Sequence, residues 1–145
     1  MINIDIGGGT DPMSGYINLD PVHGDAVWKR RIQEGIPAET SSVDAVRASH
    51  VLEHVPAGQE RIDVFNEVWR VLKPGGTFQV ILPFIGTWHA IADPTHVSFW
   101  CPESFHYFDG RIAANASYGI LPWRTLNEEI KMGWEGNWLG MPVKE

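Results

Sequence analysis

The stretch INIDIGGGTDPMSGYINLDP, residues 2–21, decides how this chain folds. Ile2 to Ile6 is a short apolar run with Asn3 and Asp5 interleaved, and Tyr16 to Leu19 is a second; Gly or Pro bounds each run, as at strand ends. Between them stand Gly7, Gly8 and Gly9, and the second run ends on Asp20. Neither the glycines nor the acid helps a core to form. Residues without a Cβ let backbone N–H groups approach a ligand closely. An acid at the tip of a second parallel strand is placed to accept the two hydroxyls of a ribose. The pair therefore points to a nucleoside ligand. The plainer alternative is a flexible turn followed by an Asp-Pro strand end.

The rest of the chain continues the alternation of strand and helix. Residues 26–32 form a weak third element, and VDAVRAS at 43–49 reads as a fourth strand after the turn-rich PAETSS. In GQERIDVFNEVWRVLKPGG, residues 58–76, Ile62, Phe65, Val68, Trp69 and Leu72 share a helical face. Lys73 suits the C-terminal end of such a helix, and Pro74, Gly75 and Gly76 stop it. TFQVILP at 77–83 is nearly continuously apolar, which predicts a strand covered on both faces. The order predicts an α/β fold: a Rossmann-like three-layer sandwich on a mostly parallel sheet with right-handed crossovers, binding ligands at the strands' carboxyl ends. Only residues 7–15 join the first two strands, whereas a parallel crossover normally takes about a dozen or more. The first crossover helix is thus abbreviated or missing, and the site is expected to be more exposed for it. The tail from Pro122 to Trp138 reads as two antiparallel strands, with Trp123, Trp134 and Trp138 packing on the sheet.

Composition narrows the class. At 145 residues and 43 % hydrophobic, residues 1–145 form a single domain able to bury a core. Cys101 is the one cysteine, so no internal disulfide framework exists. The chain shows neither a leader pattern nor eighteen consecutive apolar residues, which leads us to expect a cytoplasmic protein and no membrane partner. A net charge of −7, with one basic cluster at Lys29, Arg30 and Arg31, argues against nucleic acid and favours a small-molecule partner.

Four motifs in order carry a resemblance. IDIGGGTDP, NLDP, SSVDAVRASHVLEHVP and NEVWRVLKPGGTFQVILP together resemble S-adenosylmethionine-dependent methyltransferases of the class I Rossmann-like superfamily. The chain is most similar to short bacterial and phage members whose fourth-strand signature reads like SHVLEH. The third glycine of the dinucleotide fingerprint is replaced by Pro12, which weakens a nicotinamide reading. The resemblance implies S-adenosylmethionine as cofactor. It implies that Asp5 and the backbone of Gly7, Gly8 and Gly9 hold the amino-acid end, that Asp20 holds the ribose, and that Ile32 and Gln33 flank the adenine. Ser49 and His50 border the methionine arm and face the methyl group. The implied chemistry is in-line displacement of the methyl onto an acceptor, in which the protein chiefly supplies position. A non-catalytic cofactor-binding or partner-binding module on the same scaffold is the rival reading, favoured by the short first crossover and the lack of a cap ahead of the first strand.

Residues 86–110 leave the fifth strand at the ligand-binding edge and are rich in aromatics and histidines, as expected of a lid. PESFHYFDG predicts one short helix with Pro102 in its first turn and Gly110 at its end. In ADPTH, His96 is the candidate to orient or deprotonate the acceptor, with Asp93 fixing its tautomer; the two equally well knit the turn together. His50 and His54 share a face if residues 50–55 are helical. No spacing among His50, His54, His89, Asp93 and His96 matches an established ligand pattern, so no metal is expected. Self-association is a second way to close an uncapped site.

Overall fold

The computed structural model describes residues 1–131 and 137–144. Six strands form one sheet: β1 (Asn3–Ile6), β2 (Ile17–Leu19), β3 (Val43–Ser49), β4 (Leu72–Pro83), β5 (Trp123–Lys131) and β6 (Asn137–Lys144). Their order across the sheet is β2-β1-β3-β4-β6-β5. The first four run parallel, and β6 is antiparallel to both β4 and β5. The α/β class, the mostly parallel sheet and the antiparallel C-terminal pair expected from the sequence are all present. Trp134 lies outside the described residues. Because β1 pairs with β2 on one side and β3 on the other, the chain reverses its direction of travel at the β1 tip, where such sheets open a crevice.

Helix α1 (Gln59–Val71) crosses from β3 to β4 and buries Val64, Phe65, Val68 and Val71. It ends earlier than the sequence suggests. Leu72 is already extended and pairs with Val43, while Lys73 leaves the helix to meet Asp44 at 2.8 Å. Pro74 disfavours helical backbone at Lys73, so the chain turns straight into β4. Phe65 is the centre of the core: its ring lies 4.0 Å from Phe108, 5.4 Å from Phe78 and 6.0 Å from both Trp100 and Trp123. One side chain on α1 thus joins the sheet to the segment after it. That segment holds α2 (Trp88–Ala92), α3 (Pro102–Phe105) and a two-turn 3-10 helix at Ala113–Tyr118. Pro102 opens α3 as expected, but the helix stops at Phe105, well before Gly110.

The two sheet faces differ in kind. Ile4, Val46 and Phe78 align across the sheet, as do Ile6, Ala48 and Val80, and all are buried beneath the core aromatics. On the other face the register aligns Asn18, Asp5, Arg47 and Gln79 in a polar row. β4 accordingly alternates between buried Phe78, Val80 and Leu82 and half-buried Thr77, Gln79 and Ile81; it is covered fully on one face, not on both as its composition suggests. The layer on the polar face is thin because no helix joins β1 to β2; the loop after β1 covers Asp5 and Asn18, Met13 N donating to the Asp5 carboxylate at 2.8 Å and Gly8 N to Asn18 Oδ1 at 3.1 Å. The weak third element reduces to a bridge between Leu19 and Trp28 and a single turn at Ile32–Glu34.

Candidate functional site

Two cavities flank the β3 tip. The first, of about 460 Å³, is lined by Gly7 and Asp20 from the first two strand tips, by Arg30 to Gln33, and by His50, Val51, His54, Val55 and Thr95. Ile6 and Leu19 form its floor. The second, of about 530 Å³, is lined by His50, Pro83, Trp88, His89, Ala92, Asp93 and His96. His50 belongs to both. Of the residues expected to hold a cofactor, the first cavity therefore gathers Gly7, Asp20, Ile32, Gln33 and His50; Asp5, Gly8, Gly9 and Ser49 do not line it. The residues expected to serve the acceptor, His50, Asp93 and His96, meet in the second.

Asp5 faces the polar side of the sheet. It is fully buried, and Arg47 Nη1 reaches its two oxygens at 2.9 and 3.1 Å. Met13 N, in the loop after β1, also donates to it at 2.8 Å. The three glycine amides are also engaged internally: Gly7 N donates to Leu19 O, Gly8 N to Asn18 Oδ1, and Gly9 N to Asp20 Oδ2. A crossover without a helix must satisfy its own N–H groups, and the end of β2 supplies the acceptors. Two of the glycines also allow close approach. Gly7 has φ +66°, and a Cβ there would stand 2.3 Å from Val51 Cγ2; a Cβ on Gly8 would meet Asn18 Oδ1 at 2.7 Å.

Asp20 is 5 % exposed. Its Oδ1 accepts from Val22 N, His23 N and His23 Nδ1 at 2.8 to 2.9 Å, which leaves Oδ2, bonded only to Gly9 N at 3.2 Å, as the oxygen with capacity for a ligand. Burial pushes this carboxyl up, but the amides of His23 and Val22, the His23 ring and the Gly9 amide outweigh it and bring the pKa to about 2. The carboxylate is thus ionised throughout the physiological range. His23 escaped the sequence reading, although an Asp followed by Pro and two further amides is a known turn pattern.

His50 sits at the β3 tip with φ +55°, a left-handed conformation uncommon outside glycine and one that clusters at functional positions. Its amide donates to Ile81 O at 2.9 Å, which fixes the tip. Residues 50–55 contain only the single turn Leu52–His54, so His50 and His54 do not share a helical face. His54 instead meets His96 edge-on, ring centres 4.9 Å apart. His96 Nδ1 lies 2.9 Å from Ala90 O, an acceptor only, so this nitrogen carries the proton and Nε2 presents a lone pair. The Ala90 carbonyl fixes that tautomer, whereas Asp93 binds Thr95 N at 2.8 Å and Thr95 Oγ1 at 2.6 Å and lies 3.8 Å from His96 Nε2.

The methyltransferase domain model matches residues 5–80, more than half of the chain and the whole run from β1 into β4. The chain belongs to the methyltransferase domain family. No curated protein matches the sequence. Among solved structures, the chain is similar to an S-adenosylmethionine-dependent methyltransferase of Thermotoga maritima, described as a possible histamine N-methyltransferase. The TM-score is 0.68 at 15 % identity, over 99 % of this chain and 82 % of the other. It is also similar to the Haloferax volcanii complex of the Trm112 methyltransferase activator and a methyltransferase, with TM-score 0.67, 15 % identity, and 99 % and 82 % covered. For mitomycin 7-O-methyltransferase the values are 0.70 and 16 %, over 99 % of this chain and 49 % of that one. At these identities the likeness concerns the fold. The domain shares the Rossmann-like fold of these structures, several of which are described as S-adenosylmethionine-dependent methyltransferases. The first cavity fits S-adenosylmethionine: apolar Ile6, Leu19, Ile32, Val51 and Val55 can flank the adenine and the carbons around the sulfonium, and Asp20 Oδ2 can accept a hydroxyl. None of the described helices is long and apolar enough to cross a membrane.

Proposed function

We propose that this methyltransferase domain is an active enzyme that transfers a methyl group to a small-molecule acceptor held in the cavity between His50 and His96. The observation that carries this reading is the position of His50, which lines both cavities. When bound, S-adenosylmethionine supplies an activated sulfonium methyl group. The chain then has to bind, align and exclude water. Asp20 Oδ2 takes a ribose hydroxyl, Ile32 and Gln33 flank the adenine, and Ser49 together with the left-handed, anchored backbone at His50 fixes the direction of transfer. Holding two reactants in line is worth on the order of 7–11 kcal/mol, so no obligatory catalytic group is required. His96 Nε2 faces the second cavity with its lone pair and orients the acceptor or takes its proton, while Trp88, 63 % exposed and stacked on His89, forms an adjustable wall.

A non-catalytic cofactor-binding module on the same fold remains the second reading. The short first crossover favours it. Label transfer from methyl-labelled S-adenosylmethionine into a small-molecule mixture separates the two readings, and binding without transfer to any acceptor would establish the module. Calorimetry with S-adenosylhomocysteine tests the cofactor site itself. Asp20→Ala is expected to weaken binding about 10-fold or more, unchanged affinity would remove the ribose contact, and stabilisation by NAD alone would overturn the reading.

A further inference from the structure

Beside the β3 tip, one carboxylate and two imidazoles converge. Glu53 is 1 % exposed, and neither of its carboxylate oxygens receives a hydrogen bond. Burying a carboxylate in this way is expensive unless a cation compensates it. The nearest cationic candidate, His50 Nδ1, stands 3.5 Å away. The turn Leu52–His54 and the return of Val97 and Ser98, whose amides both bond the Glu53 carbonyl, hold this residue against the 93–98 segment. Ligand atoms of Glu53, His54 and His96 lie within 4.8 Å of one another.

The imidazoles are set up as ligands. His96 Nδ1 donates to Ala90 O, and His54 Nδ1 lies 3.2 Å from Thr95 O, which can only accept. Each ring is thereby held in the tautomer whose Nε2 has a free lone pair, the arrangement of metal-binding histidines whose other nitrogen is tied to a carbonyl. Asp93 Oδ2 stands 3.8 Å from His96 Nε2, beside this group.

We propose that Glu53, His54 and His96 bind a divalent first-row transition metal ion, with Asp93 as its outer carboxylate. Two imidazoles and one carboxylate suit such an ion and leave coordination positions open. His54 and Thr95 line the first cavity and His96 and Asp93 the second, so the open positions face the border between them. On the methyltransferase reading, this is where an oxygen-bearing acceptor can enter the coordination shell, and the ion then takes over the orienting role given to His96. The SHVLEH motif contributes two ligands one residue apart, and the third comes from 42 residues downstream of His54, which is why linear spacing conceals the site.

The test is titration of chelator-stripped protein with Co²⁺, followed by the visible ligand-field band and by calorimetry. Saturable uptake of one equivalent is expected, weakened about 10-fold or more by Glu53→Gln, His54→Gln and His96→Gln. His106→Gln, outside the cluster, should bind as the parent does. His54 is exposed, so His54→Gln keeps the test usable if the Glu53 variant does not fold. No saturable uptake, or uptake that is indifferent to His54→Gln and His96→Gln, would overturn the proposal. S-adenosylhomocysteine binding is measured on the same samples, so loss of cofactor binding with intact Co²⁺ uptake strikes the methyltransferase reading and spares the metal site.

Discussion

Asp20→Asn should narrow its stability gap to the parent as the solution is acidified, and the size of that effect follows from the geometry. The parent carboxylate accepts four hydrogen bonds while almost wholly buried, and these bring its pKa from the ordinary 3.8 to about 2. At about 1.4 kcal/mol for each tenfold change in proton affinity, the folded state gains roughly 2 kcal/mol from this group when it is ionised. Because the folded pKa is the depressed one, the gain is fully present above about pH 4 and is lost as pH falls through about 2. Asparagine keeps the shape but has no charge to lose, and its NH₂ opposes one of the donors. Urea unfolding of parent and variant at pH 7 and at a series of acidic pH values reads the difference, in which the remaining carboxylates cancel. We expect a gap of about 2 kcal/mol at neutral pH that closes toward pH 2. A gap that is constant with pH, or absent at pH 7, would show that the four donors do not hold this carboxylate as described.

Three other outcomes follow from the same structure. Arg47→Met strands a fully buried Asp5 and should destabilise by about 3–5 kcal/mol in urea unfolding, whereas the double variant with Asp5→Asn recovers most of the loss; equal losses would dismiss the pair. Gly7→Ala places a methyl against Val51 in a left-handed backbone and should lower stability by about 1–3 kcal/mol, with neutral behaviour counting against the tight approach. Phe65→Ala removes the hub between α1, β4 and the downstream aromatics at about 3–5 kcal/mol, and thermal unfolding that remained near the parent's would show that the cluster is not the core.

What could be read from the sequence follows the range of each physical signal. Apolar runs ending in Gly7 to Gly9 and in Asp20 are local, and so they fixed the parallel neighbours and their tips; the short first connection likewise announced the absent helix. The composition of β4 misled because Thr77, Gln79 and Ile81 are compatible with half-burial as well as with a covered strand. The fate of the glycine amides was hidden, since it depends on Asn18 and Asp20 curling back onto the loop. The resemblance alone suggested Asp5; its partner Arg47 was hidden because it lies one strand away and 42 positions along. Glu53 was the least visible, since nothing local tells a buried glutamate from a solvated one.

The row of Asn18, Asp5, Arg47 and Gln79 has an implication for how this architecture can vary. Lengthening the connection between Gly9 and Tyr16 into an amphipathic helix would press a greasy stripe against a charged pair and two amides. Such a graft succeeds only if the strands' outward residues are exchanged for aliphatic ones in the same step. The brevity of that connection and the hydrophilic side of the sheet are therefore a single inherited choice, and each constrains the other.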